Sequence, residues 1–200
     1  MRDADEALIV IDVQNDFCPG GRLAVTGGDE IVGGINALMD EFGVVVLTQD
    51  WHPAGHSSFA SSHQAEPFSV TQMPYGPQVL WPDHCVQGSE GSAFHPSLRV
   101  DRAHMIVRKG FRAEVDSYSA FFENDHVTPT GLGGYLSERG VKRLTMVGLA
   151  TDYCVNFSAV DAAKLGFDVV VKTALCRAIA DDSLAEAMNG MAAAGVSVNG

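Results

Sequence analysis

Continuous apolar runs rich in β-branched residues recur along the chain at Ala7 to Val13, Val44 to Thr48, His104 to Val107, Leu144 to Leu149, Phe167 to Val171 and, more weakly, Val196 to Val198. Unbroken apolar character over so few residues is the pattern of a strand buried on both faces. Between these runs the period changes. Ile31, Val32, Ile35, Leu38, Met39 and Phe42 follow the 3.6-residue repeat of a helix after Asp29, and Val155 to Leu165 form another after Asp152, with Gly166 as its stop. Gly131 to Arg139 reads as a short helix leading into the fourth strand, and Asp181 to Ala194 as an alanine-rich helix before the last. Alternating strand and helix predict a parallel sheet, and right-handed crossovers place helices on both of its faces. The expected fold is therefore a three-layer α/β/α domain with a central six-stranded parallel sheet, one unit over residues 1–200.

Residues 49–103 break this rhythm, being rich in Pro, Ser, Gly, His and Gln, and an irregular segment of that length usually carries function. Five of the seven histidines fall between residues 52 and 95, which reads as a metal site rather than a surface loop. Asp50 and His52, two apart on an extended segment, point to the same side. His56 and His84 are the candidates to complete the shell. A carboxylate with imidazoles and no thiolate accepts one divalent ion, zinc, iron or manganese, and suits a catalytic or substrate-binding site more than a structural one.

In an open parallel sheet, ligands bind beyond the carboxyl ends of the strands. Asp12, Asp50 and Lys109 each close a predicted strand, and Cys154 follows the fourth where a turn becomes a helix. A helix N-terminus and a nearby Lys109 are expected to favour the Cys154 thiolate. Asp12, buried by its own strand, is a candidate to take a proton from the thiol and return it to a leaving amine. Backbone N–H groups around Ala150 to Cys154 are placed to face an oxyanion. Taken singly, each residue has a plainer reading: a buried cysteine, a turn-forming aspartate, a lysine snorkelling from a strand end. Cys18, Cys85 and Cys176 are expected to be structural, and Asp16, Asp83, His63 and His95 to be polar loop residues. Gly20-Gly21 and Gly27-Gly28 lack the spacing of a phosphate loop and are expected to make turns.

Composition narrows the classes. With 46% hydrophobic residues the chain is globular, and 13 Lys plus Arg against 25 Asp plus Glu give a net charge of -12, which repels a phosphate backbone. Nucleic-acid partners are excluded on that ground. No apolar run approaches membrane-spanning length. The acidic opening Met1 to Glu6 runs straight into the first strand without the shape of a signal peptide, so a cytoplasmic location with four free thiols is expected. A thiol-redox module is disfavoured because no Cys-x-x-Cys occurs.

Several fragments together carry a resemblance: Asp12-Val13-Gln14-Asn15-Asp16-Phe17-Cys18-Pro19, Asp50-Trp51-His52-Pro53 with His56-Ser57-Ser58-Phe59, and Trp81-Pro82-Asp83-His84-Cys85-Val86. To these add Arg108-Lys109-Gly110, Asp116-Ser117-Tyr118-Ser119-Ala120-Phe121 and Gly148-Leu149-Ala150-Thr151-Asp152-Tyr153-Cys154-Val155. Over nearly its full length the chain resembles the nicotinamidases of the isochorismatase-like cysteine hydrolase superfamily. The resemblance implies a catalytic triad of Asp12, Lys109 and Cys154, and an ion on Asp50, His52 and His84, with His56 at the ligand position that varies among members. It also implies a non-proline cis peptide between Leu149 and Ala150, and an oxyanion site on the N–H groups of Ala150 and Cys154. Phe17, Leu23, Trp81 and Tyr118 would wall a pocket suited to a flat pyridine ring. The implied activity is hydrolysis of nicotinamide, and of pyrazinamide, through a thioester, within NAD salvage. A related cysteine hydrolase acting on an N-carbamoyl or other small amide is the rival reading, one that needs the triad and not the ion. Tyr153 departs from the pattern, since some relatives carry histidine there. A homo-oligomer is compatible with all of this and is not specified by it.

Overall fold

The computed structural model describes residues 3–199, so Met1 and Arg2 of the acidic opening, and Gly200, lie outside the described residues. Six parallel strands form the central sheet: β1 (Glu6–Ile11), β2 (Val44–Asp50), β5 (Met105–Lys109), β6 (Arg143–Leu149), β7 (Asp168–Arg177) and β8 (Ser197–Asn199). Their spatial order is β5-β2-β1-β6-β7-β8. The reversal of strand order lies beside β1, where crossovers leave on opposite sides and open a crevice at the carboxyl edge.

Both faces of the sheet are covered, which is why its strands read as unbroken apolar runs. Ala7, Ile9 and Ile11 of β1 pack with Leu132 and Leu136 of α2 (Leu132–Glu138), Ala159 and Ala162 of α3 (Asn156–Lys164) and Met191 of α4 (Asp181–Ala193). The alternate residues Leu8 and Val10 pack on the other face with Val32, Ile35 and Met39 of α1 (Val32–Met39). Each large aliphatic side chain so buried contributes about 1.5–3 kcal/mol.

Strands β2 and β5 close on Asp50 and Lys109, the residues expected to end them, because the ladder between them persists to that pair, with Asp50 opposite Lys109. The ends of β1 and β7 differ from expectation, and both bear on the site. Strand β1 stops at Ile11, since Asp12 takes a left-handed backbone (φ 48) that leaves the ladder. Strand β7 extends to Arg177, with a register shift between Met146 and Gly148 of β6. Gly148 has φ +122 and its α-carbon lies so close to β1 that a Cβ there would stand 2.1 Å from the Ile11 carbonyl oxygen. Only glycine fits.

The irregular segment also holds an antiparallel hairpin, β3 (Val70–Met73) and β4 (Gly76–Val79), that hydrophobic patterning misses. Its strands are four residues each, and one of its buried side chains is the polar Gln78.

Candidate active site

The carboxyl ends of β5, β2, β1 and β6 are neighbours, so Lys109, Asp50, Asp12 and Ala150 arrive along one rim. Lys109 is the hub and is 1% exposed. Its Nζ lies 2.9 Å from Asp12 Oδ2 and 3.1 Å from Asp50 Oδ1, and donates to the Ser117 carbonyl (2.8 Å) and to Cys154 Sγ (3.5 Å). Asp12 is fully buried; Thr48 Oγ1 donates to its Oδ1 (2.6 Å). Gln14 pins the β2 end, donating to the Asp50 carbonyl and accepting from the Asp50 N–H.

Cys154 does not open an α-helix, as its sequence context predicts, but sits inside a π-turn, Thr151–Val155, ahead of α3. The Leu149–Ala150 bond before this turn is cis, as the resemblance implies. Four hydrogen bonds anchor the turn. Ser158 Oγ donates to the Cys154 carbonyl, and the Asp152 carboxylate accepts from Ile179 N, Ala180 N and Ser183 Oγ at the start of α4.

The thiolate expectation is corrected by burial. Desolvation pushes the Cys154 thiol well above its ordinary value, and the opposing pull of Lys109 does not overcome it, so the resting group is a thiol. Desolvation likewise raises Asp12 against Lys109, with Asp50 adding repulsion. For Lys109, desolvation alone would lower the pKa, yet Asp12 and Asp50 hold it well above the ordinary value, so it stays cationic.

Beside this group, the Nε2 atoms of His52 and His84 converge on Asp50 Oδ2 at 2.9 and 3.2 Å. Each ring directs its other nitrogen at a backbone carbonyl: His52 Nδ1 at Gly110 (2.9 Å) and His84 Nδ1 at Pro82 (2.8 Å). An Nδ1 bonded to a carbonyl fixes each ring with Nε2 aimed at Asp50 Oδ2, the arrangement by which proteins hold imidazoles for a metal. The donor set, one carboxylate and two imidazoles, all buried, fits a divalent ion. His56 is not brought to this group. Its Nδ1 accepts from Ser58 N and meets Ser58 Oγ, and its Nε2 donates to the Arg112 carbonyl, so both ring nitrogens are engaged. It stacks beside His52 at 4.5 Å between centroids, and burial lowers its pKa.

The cavity above Cys154 and Ala150 is walled by Phe17, Leu23, Trp81 and Tyr118, together with Tyr153 and Ile179. The Trp81 and Tyr153 rings meet edge to face at 4.8 Å. Ile179 escaped sequence reasoning because it lies on a short link after β7 with no periodic signal. Asp116 and Ser117 also line the cavity, and only their place beside Tyr118 in the Asp116-Ser117-Tyr118 run could have pointed to them.

Of the residues expected to be structural, Cys18, Cys85 and Cys176 are buried free thiols. His63 and Asp83 hold loop contacts with the Ser57 carbonyl and Ser61 Oγ, and His95 Nδ1 accepts from Ser97 N. Asp16 differs: it is buried, and its carboxylate ties Arg22 N to Cys85 N. Gly20 and Gly27 both take positive φ, as turns require. Among the described residues, no helix is long and apolar enough to cross a membrane.

A parallel α/β sheet with a cysteine at its carboxyl rim is an architecture shared by a known class of enzymes: residues 6–199 match the isochorismatase domain, and the chain belongs to the isochorismatase family. Within that family it groups with the nicotinamidases. It is 53% identical over 192 residues to the nicotinamidase of Acinetobacter baylyi (95% of this chain, 90% of that protein) and 46% identical over 198 residues to that of Escherichia coli K12 (96% and 93%). Among solved structures, an Acinetobacter baumanii nicotinamidase/pyrazinamidase is similar with a TM-score of 0.98 at 49% identity, covering 100% of this chain and 97% of that one. PnC1 from L. infantum, in complex with nicotinate, gives 0.86 at 40% identity (98% and 93%). The pyrazinamidase of Pyrococcus horikoshii, in complex with zinc, gives 0.79 at 33% identity (97% and 98%).

Proposed function

We propose that the protein hydrolyses nicotinamide to nicotinate and ammonia through a thioester on Cys154, with pyrazinamide as a second substrate. One observation carries this reading: Lys109 Nζ touches both Asp12 Oδ2 (2.9 Å) and Cys154 Sγ (3.5 Å), beside the cavity that also exposes Asp50, His52 and His84. The nicotinate in the L. infantum neighbour and the zinc in the P. horikoshii neighbour support the choice of substrate and ion.

Because Cys154 rests as a thiol, attack needs a base, and Asp12, its basicity raised by burial, takes that role. As sulfur bonds to the carboxamide carbon, the thiol proton passes to Asp12. Lys109 stays cationic and compensates negative charge on either partner. The N–H groups of Ala150 and Cys154 face the oxyanion, where removing one such donor typically costs about 2.7–4 kcal/mol. Asp12 then gives its proton to the amide nitrogen, the C–N bond breaks, and ammonia leaves an acyl-Cys154. A water molecule loses a proton to Asp12 and attacks the thioester; the S–C bond breaks, nicotinate departs and the proton returns to sulfur.

Phe17, Trp81 and Tyr118 flank the flat ring and exclude water from it. Asp50, His52 and His84 would hold a divalent ion, which would supply a Lewis acid at the substrate's end of the cavity. A buried thiol nucleophile and three further free cysteines suit a reducing compartment, the cytoplasm, where nicotinate feeds NAD salvage.

Ammonia release from nicotinamide, pyrazinamide and an N-carbamoyl amino acid tests the reading. The two heteroaromatic amides should be turned over and Cys154→Ala should be inactive on both. Preference for the carbamoyl compound, or turnover by Cys154→Ala, would overturn it.

A further inference from the structure

Asp116 is a second buried carboxylate at the ion-binding corner, and neither periodicity nor strand ends single it out. It is 2% exposed and lines the cavity. Its Oδ1 accepts from Ser117 N (2.7 Å) and its Oδ2 from Gln78 Nε2 (3.2 Å). Gln78 is itself buried in β4 and cannot turn its amide over, because its oxygen accepts from Asn124 Nδ2 (3.0 Å) and Tyr75 OH (3.3 Å). The hairpin thus holds the carboxylate at a set place. Among the described residues, the basic group that Asp116 meets within 4 Å is His52, whose Nε2 lies 3.8 Å from Oδ1. That nitrogen is the one turned toward Asp50.

Lys109 is taken up by Asp12, Asp50 and the Ser117 carbonyl, so the basic group left to Asp116 is His52. A divalent ion beside His52 would place further positive charge next to this buried carboxylate. Hydrogen-bond donors that orient Asp116 without neutralising it are what such a role requires.

We infer that Asp116 is a positioning residue for the divalent ion: it touches His52, adds the second negative charge to the site, and is held there by Gln78. The inference rests on the reading of Asp50, His52 and His84 as ion ligands and not on the substrate. Protein stripped of metal is titrated with Zn²⁺ in competition with a chromophoric chelator, and the metal-free forms are melted in parallel. Asp116→Asn should weaken Zn²⁺ by about 10–100-fold, while the metal-free variant melts close to the metal-free parent, because Asn keeps the size of the side chain and an oxygen that accepts from Gln78 or Ser117. Asp116→Ser is the second variant, with the same expected loss of affinity. Wild-type affinity in either folded variant would overturn the inference, as would a loss of affinity matched by a lower metal-free melting temperature, the mark of a structural role only. Failure to turn over nicotinamide with the affinity loss intact would sink the substrate assignment and leave the role of Asp116 standing.

Discussion

Gly110 offers a sharp test of how the His52 ring is held. It follows Lys109 with φ +66, and a Cβ built on it would lie 2.5 Å from His52 Cε1 and 2.8 Å from Nδ1. In Gly110→Ala, restoring an ordinary contact of about 3.5 Å pushes the ring back by roughly 1 Å. The bond from His52 Nδ1 to the Gly110 carbonyl, now 2.9 Å, is then stretched beyond hydrogen-bonding range. The left-handed backbone adds about 1–2 kcal/mol for a residue with a Cβ, and the lost hydrogen bond about 0.5–1.5 kcal/mol. A total of about 2–3 kcal/mol lowers Tm by roughly 5–10 °C in a protein of this size. Because the displaced ring is the one aimed at Asp50, Zn²⁺ affinity should also fall by about 10–100-fold. Calorimetric melting and chelator competition measure the two effects separately. A variant that melts like wild type and binds Zn²⁺ as tightly would refute the account of Gly110 as the backstop of His52.

Lys109→Met leaves Asp12 and Asp50 buried without their shared cation and should destabilise the fold by about 3–5 kcal/mol in urea titration, whatever it does to activity. Stripping the ion should abolish or sharply raise KM for nicotinamide, with Zn²⁺ restoring it; unchanged turnover would remove the ion from the reaction. Stability should also depend on alkaline pH. Burial pushes Cys176 from its ordinary 9.0 up to about 12 and Cys18 up to about 11. Below about pH 9 the thiols are protonated whether the chain is folded or not, so the full stability is present. Above it the unfolded chain releases protons that the folded one retains, and stability is lost as pH rises toward the folded values, by up to about 1.4 kcal/mol per pH unit for Cys176. Melting curves from pH 8 to 11 should show the decline, and Cys176→Ala should flatten it.

The six sheet strands and four main helices were legible because the same apolar spacing that seeds each element also buries it. Ala7, Ile9 and Ile11 meet one layer of helices while Leu8 and Val10 meet the other, and that two-sided burial is what an unbroken run encodes. The β3–β4 hairpin was not legible, since it is held by Gln78 reaching Asp116 and Tyr118 rather than by an apolar face. Asp116 and Ile179 were likewise hidden, each acquiring meaning only from a distant segment.

Residue chemistry and strand ends are local properties, so the chain alone marks Asp12, Asp50, Lys109 and Cys154 as groups that a parallel sheet carries to one rim. Protonation and ligand geometry are not local. Desolvation by the packed layers keeps Cys154 a thiol against the pull of Lys109. The β2–β5 register sets Asp50 opposite Lys109. Ser58 and the Arg112 carbonyl occupy both nitrogens of His56. Each depends on what stands within a few ångströms in space, and spacing along the chain carries no record of that.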